Sequence, residues 1–250
     1  MKNTVGQWDN LGHLVQPMYF QPFTLSHLLS HFKLPLGQHL RPLFASPLSV
    51  SSRIMLPFIP MKILDVGCGA KKYEGAIGLD NNPRTAADVI HDLGSVPYPF
   101  PDSEFDLIVS RHVVEHVPDV MAFIGELHRI TKPGGRIRLV APHYTNPDWA
   151  NDLTHRNHLN SYSFNTFLPG RQVFDFYTDI QLKPIRTHVS LLTLWKTLGI
   201  EFVVNLDQRA EGLRFLRKFW EHYLSYIFRG KELHFEFEVV KPADPASNGQ

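Results

Sequence analysis

The chain has one cysteine, almost no net charge and no long apolar run, and each shortage excludes something. A lone Cys68 rules out an intramolecular disulfide and fits a reducing compartment. The formal net charge of +1 offers no global basic field to recommend nucleic acid as a partner. No apolar stretch approaches the ~20 residues that span a bilayer, and the N-terminus lacks the charged-then-apolar pattern of a secretory signal. These features predict a cytoplasmic protein. What is present is an ordinary globular composition, with 43% hydrophobic and 20% charged residues over 250 positions. That suits one domain with elaborations.

Residues 1–60 are expected to form an N-terminal extension of short helices and extended chain, because seven prolines from Pro17 to Pro60 interrupt every candidate helix. Within it, Leu25, Leu28, Leu29 and Phe32 share a helical face. From Met61 to Lys241 the pattern becomes that of an α/β domain. Strands are expected at 62–66, 76–80, 88–91, 105–110 and 136–141, as short apolar runs typical of parallel strands buried on both faces. Pro118 to Thr131 reads as a helix stopped by Lys132-Pro133-Gly134-Gly135. Two further strands, near 180–190 and 233–240, make the expected antiparallel edge. Between them, 206–228 reads as one amphipathic helix with Leu213, Leu216, Trp220, Tyr223, Leu224 and Ile227 as its apolar stripe. Such a stripe packs on its own domain, forms a homodimer or touches a membrane surface. The tail, 242–250, is expected to be disordered.

The densest chemical signal is Ile63-Leu64-Asp65-Val66-Gly67-Cys68-Gly69, followed by Ala76-Ile77-Gly78-Leu79-Asp80. An apolar strand enters a glycine turn that lets backbone approach a ligand, and a second strand ends on a carboxylate suited to ribose hydroxyls. The third glycine of the dinucleotide fingerprint and the P-loop lysine are both missing. Asp-Val-Gly-Cys-Gly resembles the first motif of class I S-adenosylmethionine-dependent methyltransferases, in particular the type 11 and ubiquinone-pathway-like group. Asp92-Leu93 after the third strand, Phe105 to Ser110 as the fourth, and Leu127 through Gly135 continue the resemblance in the family's order. It implies a Rossmann-like seven-stranded sheet with helices on both faces and S-adenosylmethionine as cofactor. By that resemblance the donor is held by Asp65, Gly67, Cys68, Gly69, Asp80, Asn81, Asp92, Leu93 and Ser110. Only about nine residues separate the first two strands, so the first helix is expected to shrink to one turn at Ala70–Glu74.

Histidine supplies the second signal. Six of the 14 histidines fall between His112 and His158. In one helical turn His112, Glu115 and His116 would share a face at the carboxyl edge of the sheet. His143, just past the fifth strand, would join them. These four residues are a candidate site for zinc, iron, manganese or nickel. The resemblance bears on this point: small-RNA 2′-O-methyltransferases and ubiquinone-pathway enzymes carry Glu-x-x-Glu-His here and bind a divalent metal, whereas this chain has His112 in place of the first glutamate. The other reading is metal-free, with His143 or His155 as general base and Asp152 as its orienter. His128 is expected at the surface. The polar segment 142–170 is the expected acceptor-binding region. The favoured function is O-methylation of a small molecule or glycan hydroxyl. RNA ribose 2′-O-methylation and a non-catalytic donor-binding module are the rivals.

Overall fold

Short apolar runs bounded by glycine, proline or aspartate become the strands of one sheet. The computed structural model describes residues 60–172 and 174–241. The expected N-terminal extension, its Leu25–Phe32 face and the expected disordered tail lie outside the described residues. Five strands run parallel: β1 (Ile63–Val66), β2 (Ile77–Asp80), β3 (Val89–Ile90), β4 (Phe105–Arg111) and β5 (Thr131–Pro142). Two long strands complete it, β6 (Gln181–Leu191) and β7 (Gly230–Val240). The order is β3-β2-β1-β4-β5-β7-β6, with β7 antiparallel to both neighbours. Strand order reverses between β1 and β4, which opens a ligand crevice at the carboxyl ends of those strands.

Helix α1 (Val120–Ile130) links β4 to β5. The Asp119 carboxylate caps it, accepting from the amides of Met121 at 2.8 Å and Ala122 at 3.0 Å. Phe123, Ile124, Leu127 and Ile130 bury one face into the core, at the spacing seen in the sequence. His128 is half-buried rather than at the surface, and its ring bonds the Val240 carbonyl at the end of β7, 3.0 Å away.

Two expected helices differ. The link Gly67–Ala76 holds no helical turn at Ala70–Glu74; it is a series of turns. Side chains replace helical hydrogen bonds there: the Tyr73 amide donates to Asp65 at 2.7 Å, and Arg111 reaches the Lys71 carbonyl at 2.9 Å. The single helix expected over 206–228 is broken. After two 3-10 turns come α4 (Arg214–Phe219) and a π-helical turn, Trp220–Leu224. Helices α2 (Thr193–Thr197) and α3 (Ile200–Val204) precede them and had no counterpart in the sequence pattern. The expected apolar stripe divides: Trp220 is buried, but Tyr223 and Ile227 are exposed. Polar burial explains the break. Arg217 turns inward to Asp207 at 2.6 Å, and Glu221 turns inward to His143 at 2.8 Å and Ser161 at 2.7 Å. Among the described residues, no helix is long and apolar enough to cross a membrane.

Candidate active site

The glycine turn after β1 is built for close approach. Gly67 has φ +70°, and a Cβ there would meet Val113 Cγ2 at 2.1 Å. Gly69, at φ +57°, faces open space. Both conformations favour glycine. The turn is closed by Asp80 at the end of β2, whose carboxylate accepts from the Gly69 amide and the Asn82 amide, each at 2.9 Å. Each oxygen keeps a further lone pair for a ligand hydroxyl.

A cavity of about 260 Å³ opens here. Gly67, Asp80, Asn81, Asp92 and Leu93 line it, together with Val113, His116, Val117 and Pro118. Five of the residues expected to hold the donor therefore meet in one space. Asp92 is pre-set as an acceptor: bonds from the Gly94 amide and the Ser95 hydroxyl hold its carboxyl below the usual range. Cys68 is buried and free, and burial pushes its thiol up. Asp65 and Ser110 lie on the adjoining strands β1 and β4, both buried. Asp65 Oδ1 and Ser110 Oγ have no hydrogen-bond partner, and burial raises the Asp65 pKa. An open glycine cradle, a strand-end carboxylate and orphaned polar atoms suit a ligand with a ribose and charged groups.

His112, Glu115 and His116 do not share a helical turn. His112 adopts φ +56° just after β4, and residues 114–116 form a turn. The segment after β5 clamps that turn: the Arg156 and Asn157 amides donate to the Glu115 carbonyl at 2.8 and 3.1 Å. Asn157 also donates to the Val114 and Val117 carbonyls at 2.9 and 2.8 Å. This clamp brings His155 beside His116, with ring centroids 4.7 Å apart. Glu115, His116 and His155 each place a ligand atom within 4.8 Å of the others.

The hydrogen bonds assign the tautomers. Thr154 Oγ1 donates its only proton to the Asp152 carboxylate at 2.6 Å, so it accepts from His116 Nδ1 at 2.9 Å. His155 Nδ1 donates to the Trp149 carbonyl at 2.7 Å. In the neutral form, both imidazoles therefore present Nε2 as the lone pair. Glu115 is fully buried, with Oε1 3.3 Å from His112 Nδ1 and Oε2 without a partner.

Two expected members stand elsewhere. His143 is fully buried, its Nδ1 against Thr145 Oγ1 and its Nε2 against Glu221, both at 2.8 Å. With both nitrogens engaged it neither joins a metal group nor offers a free lone pair. Gly230 exists to admit its ring, since a Cβ there would meet it at 2.4 Å. His112 faces Glu115 and Glu232 and lies outside the three-residue group. The hydrogen bond to Glu115 raises its pKa. Asp152 does not orient His155 directly; it acts through Thr154 on His116. Thr154, Trp149 and Glu221 were missed. Asp-x-Thr does announce a local turn, in which the Thr154 amide donates to Asp152 at 2.8 Å, but nothing local announces His116.

The sequence itself has relatives. Residues 64–139 match the family model described as a methyltransferase domain. A ubiquinone biosynthesis O-methyltransferase of Paramagnetospirillum magneticum is 28% identical over 162 residues, covering 57% of this chain and 60% of that protein. An ajmaline N-methyltransferase of Rauvolfia serpentina is 31% identical over 105 residues, covering 33% of this chain and 36% of that protein. The solved YcgJ protein of Bacillus subtilis is similar with a TM-score of 0.46 and 16% identity, covering 73% of this chain and 93% of that one. Residues 64–139 thus constitute a class I S-adenosylmethionine-dependent methyltransferase domain. The chain spans about 60% of the first of these relatives.

Proposed function

We propose that the protein transfers a methyl group from S-adenosylmethionine to a hydroxyl of a small molecule or glycan. The observation that carries this reading is His116, which lines the donor cavity and has its Nε2 lone pair freed by Thr154. When bound, the donor supplies a sulfonium methyl carbon, whose bond to sulfur breaks as the acceptor oxygen forms its new bond to carbon. The chain's own contribution is then positioning and proton removal. Asp80 holds the ribose, Asp92 and Leu93 the adenine, and the glycine turn sets the depth of the ligand. His116 Nε2 accepts the hydroxyl proton, with His155 as its neighbour on the acceptor side. A hydroxyl acceptor accords with the O-methyltransferase name of the ubiquinone-pathway relative.

A second reading rests on Glu115. Its carboxylate, with Oε2 unpartnered, and the His116 and His155 imidazoles bring one ligand atom each within 4.8 Å of the others, a donor set for a divalent transition metal. The Trp149 carbonyl and the Asp152-Thr154 pair would orient the two histidines as ligands. When bound, the cation would lower the pKa of the acceptor hydroxyl.

Methyl-labelled donor and a panel of phenols, quinols and sugars test the proposal. Label transfer that His116→Ala abolishes, with donor affinity kept, is the expected result. Undiminished transfer by that variant would remove His116 from the chemistry.

A further inference from the structure

A second cavity lies at the other edge of the sheet, where β6 and β7 meet α4. It measures about 440 Å³ and shares no residue with the donor cavity. Its floor is aromatic: Phe164, Phe235 and Phe237 are all buried, with Phe164 and Phe235 edge to face at 4.8 Å.

The rim is cationic. Arg186 of β6 and Arg214 of α4 are exposed and line it, together with the buried Arg217. The carboxylates that line the same space are already engaged. Asp207 is held by Arg217 at 2.6 Å, and Glu236 by Arg136 and Arg138 of β5 at 2.9 and 3.1 Å. Arg186 bonds only a neutral group among its hydrogen-bond partners, the Gln208 amide oxygen at 3.3 Å. Guanidiniums gathered at one concave mouth focus a positive potential, and their planar forks match tetrahedral oxyanions. A phosphate monoester carries about −2 near neutral pH, enough to satisfy Arg186 and Arg214 together.

We propose that this cavity binds the phosphate of an amphipathic ligand, with the head between Arg186 and Arg214 and the apolar body over Phe235 and Phe237. The ligand is either a soluble aryl or alkyl phosphate or a phospholipid headgroup. Phe215 and Phe219, exposed on α4 beside Arg214, favour the lipid.

Calorimetric titration of the full chain with phenyl phosphate tests the site, with benzyl alcohol as the uncharged control. Saturable binding of phenyl phosphate is expected, weakened about tenfold or more in an Arg186→Ala/Arg214→Ala double variant. Affinity for S-adenosylmethionine and the melting temperature should not change in that variant. The Arg186→Lys/Arg214→Lys variant keeps the charge, loses the fork and should fall between. Absence of saturable binding, equal binding by the alanine variant, or equal binding of benzyl alcohol would overturn the proposal. Flotation with phosphatidylcholine vesicles, with and without phosphatidic acid, then assigns the source. Arginine-dependent flotation on the acidic vesicles identifies a lipid headgroup, and its absence alongside phenyl phosphate binding identifies a soluble ligand.

Discussion

Thr154 holds His116 across 38 residues of chain, its hydroxyl oxygen 2.9 Å from Nδ1. The hydroxyl proton is committed to Asp152, so removing the hydroxyl frees the ring to rotate or change tautomer. Thr154→Val should lower kcat roughly 10–100-fold, leave donor affinity unchanged and shift the pH–rate profile. Thr154→Ser should restore the wild-type profile. Full turnover in the valine variant would discard the relay.

Asp80 is the residue on which donor affinity should depend most. Asp80→Ala removes both carboxylate oxygens proposed to accept the ribose hydroxyls and also releases the Gly69 and Asn82 amides. Hydrogen bonds to a charged group are worth about 1.5–3 kcal/mol each, so calorimetry should show at least a tenfold loss. Unchanged affinity would remove the ribose assignment.

Gly67 and Val113 should behave as a coupled pair. Gly67→Ala pays for a left-handed Cβ, about 1–2 kcal/mol, and drives it into Val113 Cγ2. Val113→Ala in the same chain relieves the clash. A double-mutant cycle read by urea unfolding should return a coupling of about 1 kcal/mol or more, and additive effects would contradict the contact.

Elemental analysis separates proton transfer from metal assistance. On the metal-assisted reading, the purified protein carries a divalent transition metal that Glu115→Gln and His155→Ala release and EDTA strips. Full activity in chelator, with no metal found, would leave His116 as a general base acting alone.

Acid should destabilise the fold through three histidines outside the site. Burial lowers the pKa of His128, His188 and His234 below the ordinary 6.5. The facing groups differ: Val240 at His128, Glu201 and Arg186 at His188, Glu232 and Arg186 at His234. A depressed histidine pKa means that the folded state prefers the neutral ring. Its contribution is complete above the unfolded pKa near 6.5 and is lost as pH falls toward the lower folded value. His112, whose pKa is raised, works in the opposite sense near neutrality, so in a His112→Ala background urea midpoints should be flat from pH 8 to 7 and decline from about 6.5 downward. A decline confined to the carboxylate range would exclude these three.

The legible parts of the chain were those whose signal is local. Strands β1 and β2, the alternating β7 and the capped α1 follow from periodicity and from end signals a few residues away. The break at 220–224 was not legible. Glu221 and Arg217 fall outside the apolar stripe of a regular helix, and it is His143, Ser161 and Asp207 that draw them inward. His143 was misassigned for the same reason, since its partner Glu221 lies 78 residues away.

The sequence by itself determined the donor side. Glycines at left-handed positions and a carboxylate at a strand end act through the few residues around them, so spacing alone defines the turn. Tertiary structure decided the side proposed to react. Glu115-His116 and Thr154-His155 become one site only because backbone amides of Arg156 and Asn157 bond the Glu115 carbonyl. Hydrogen bonds between distant loops carry no periodicity, and no sequence spacing reports them.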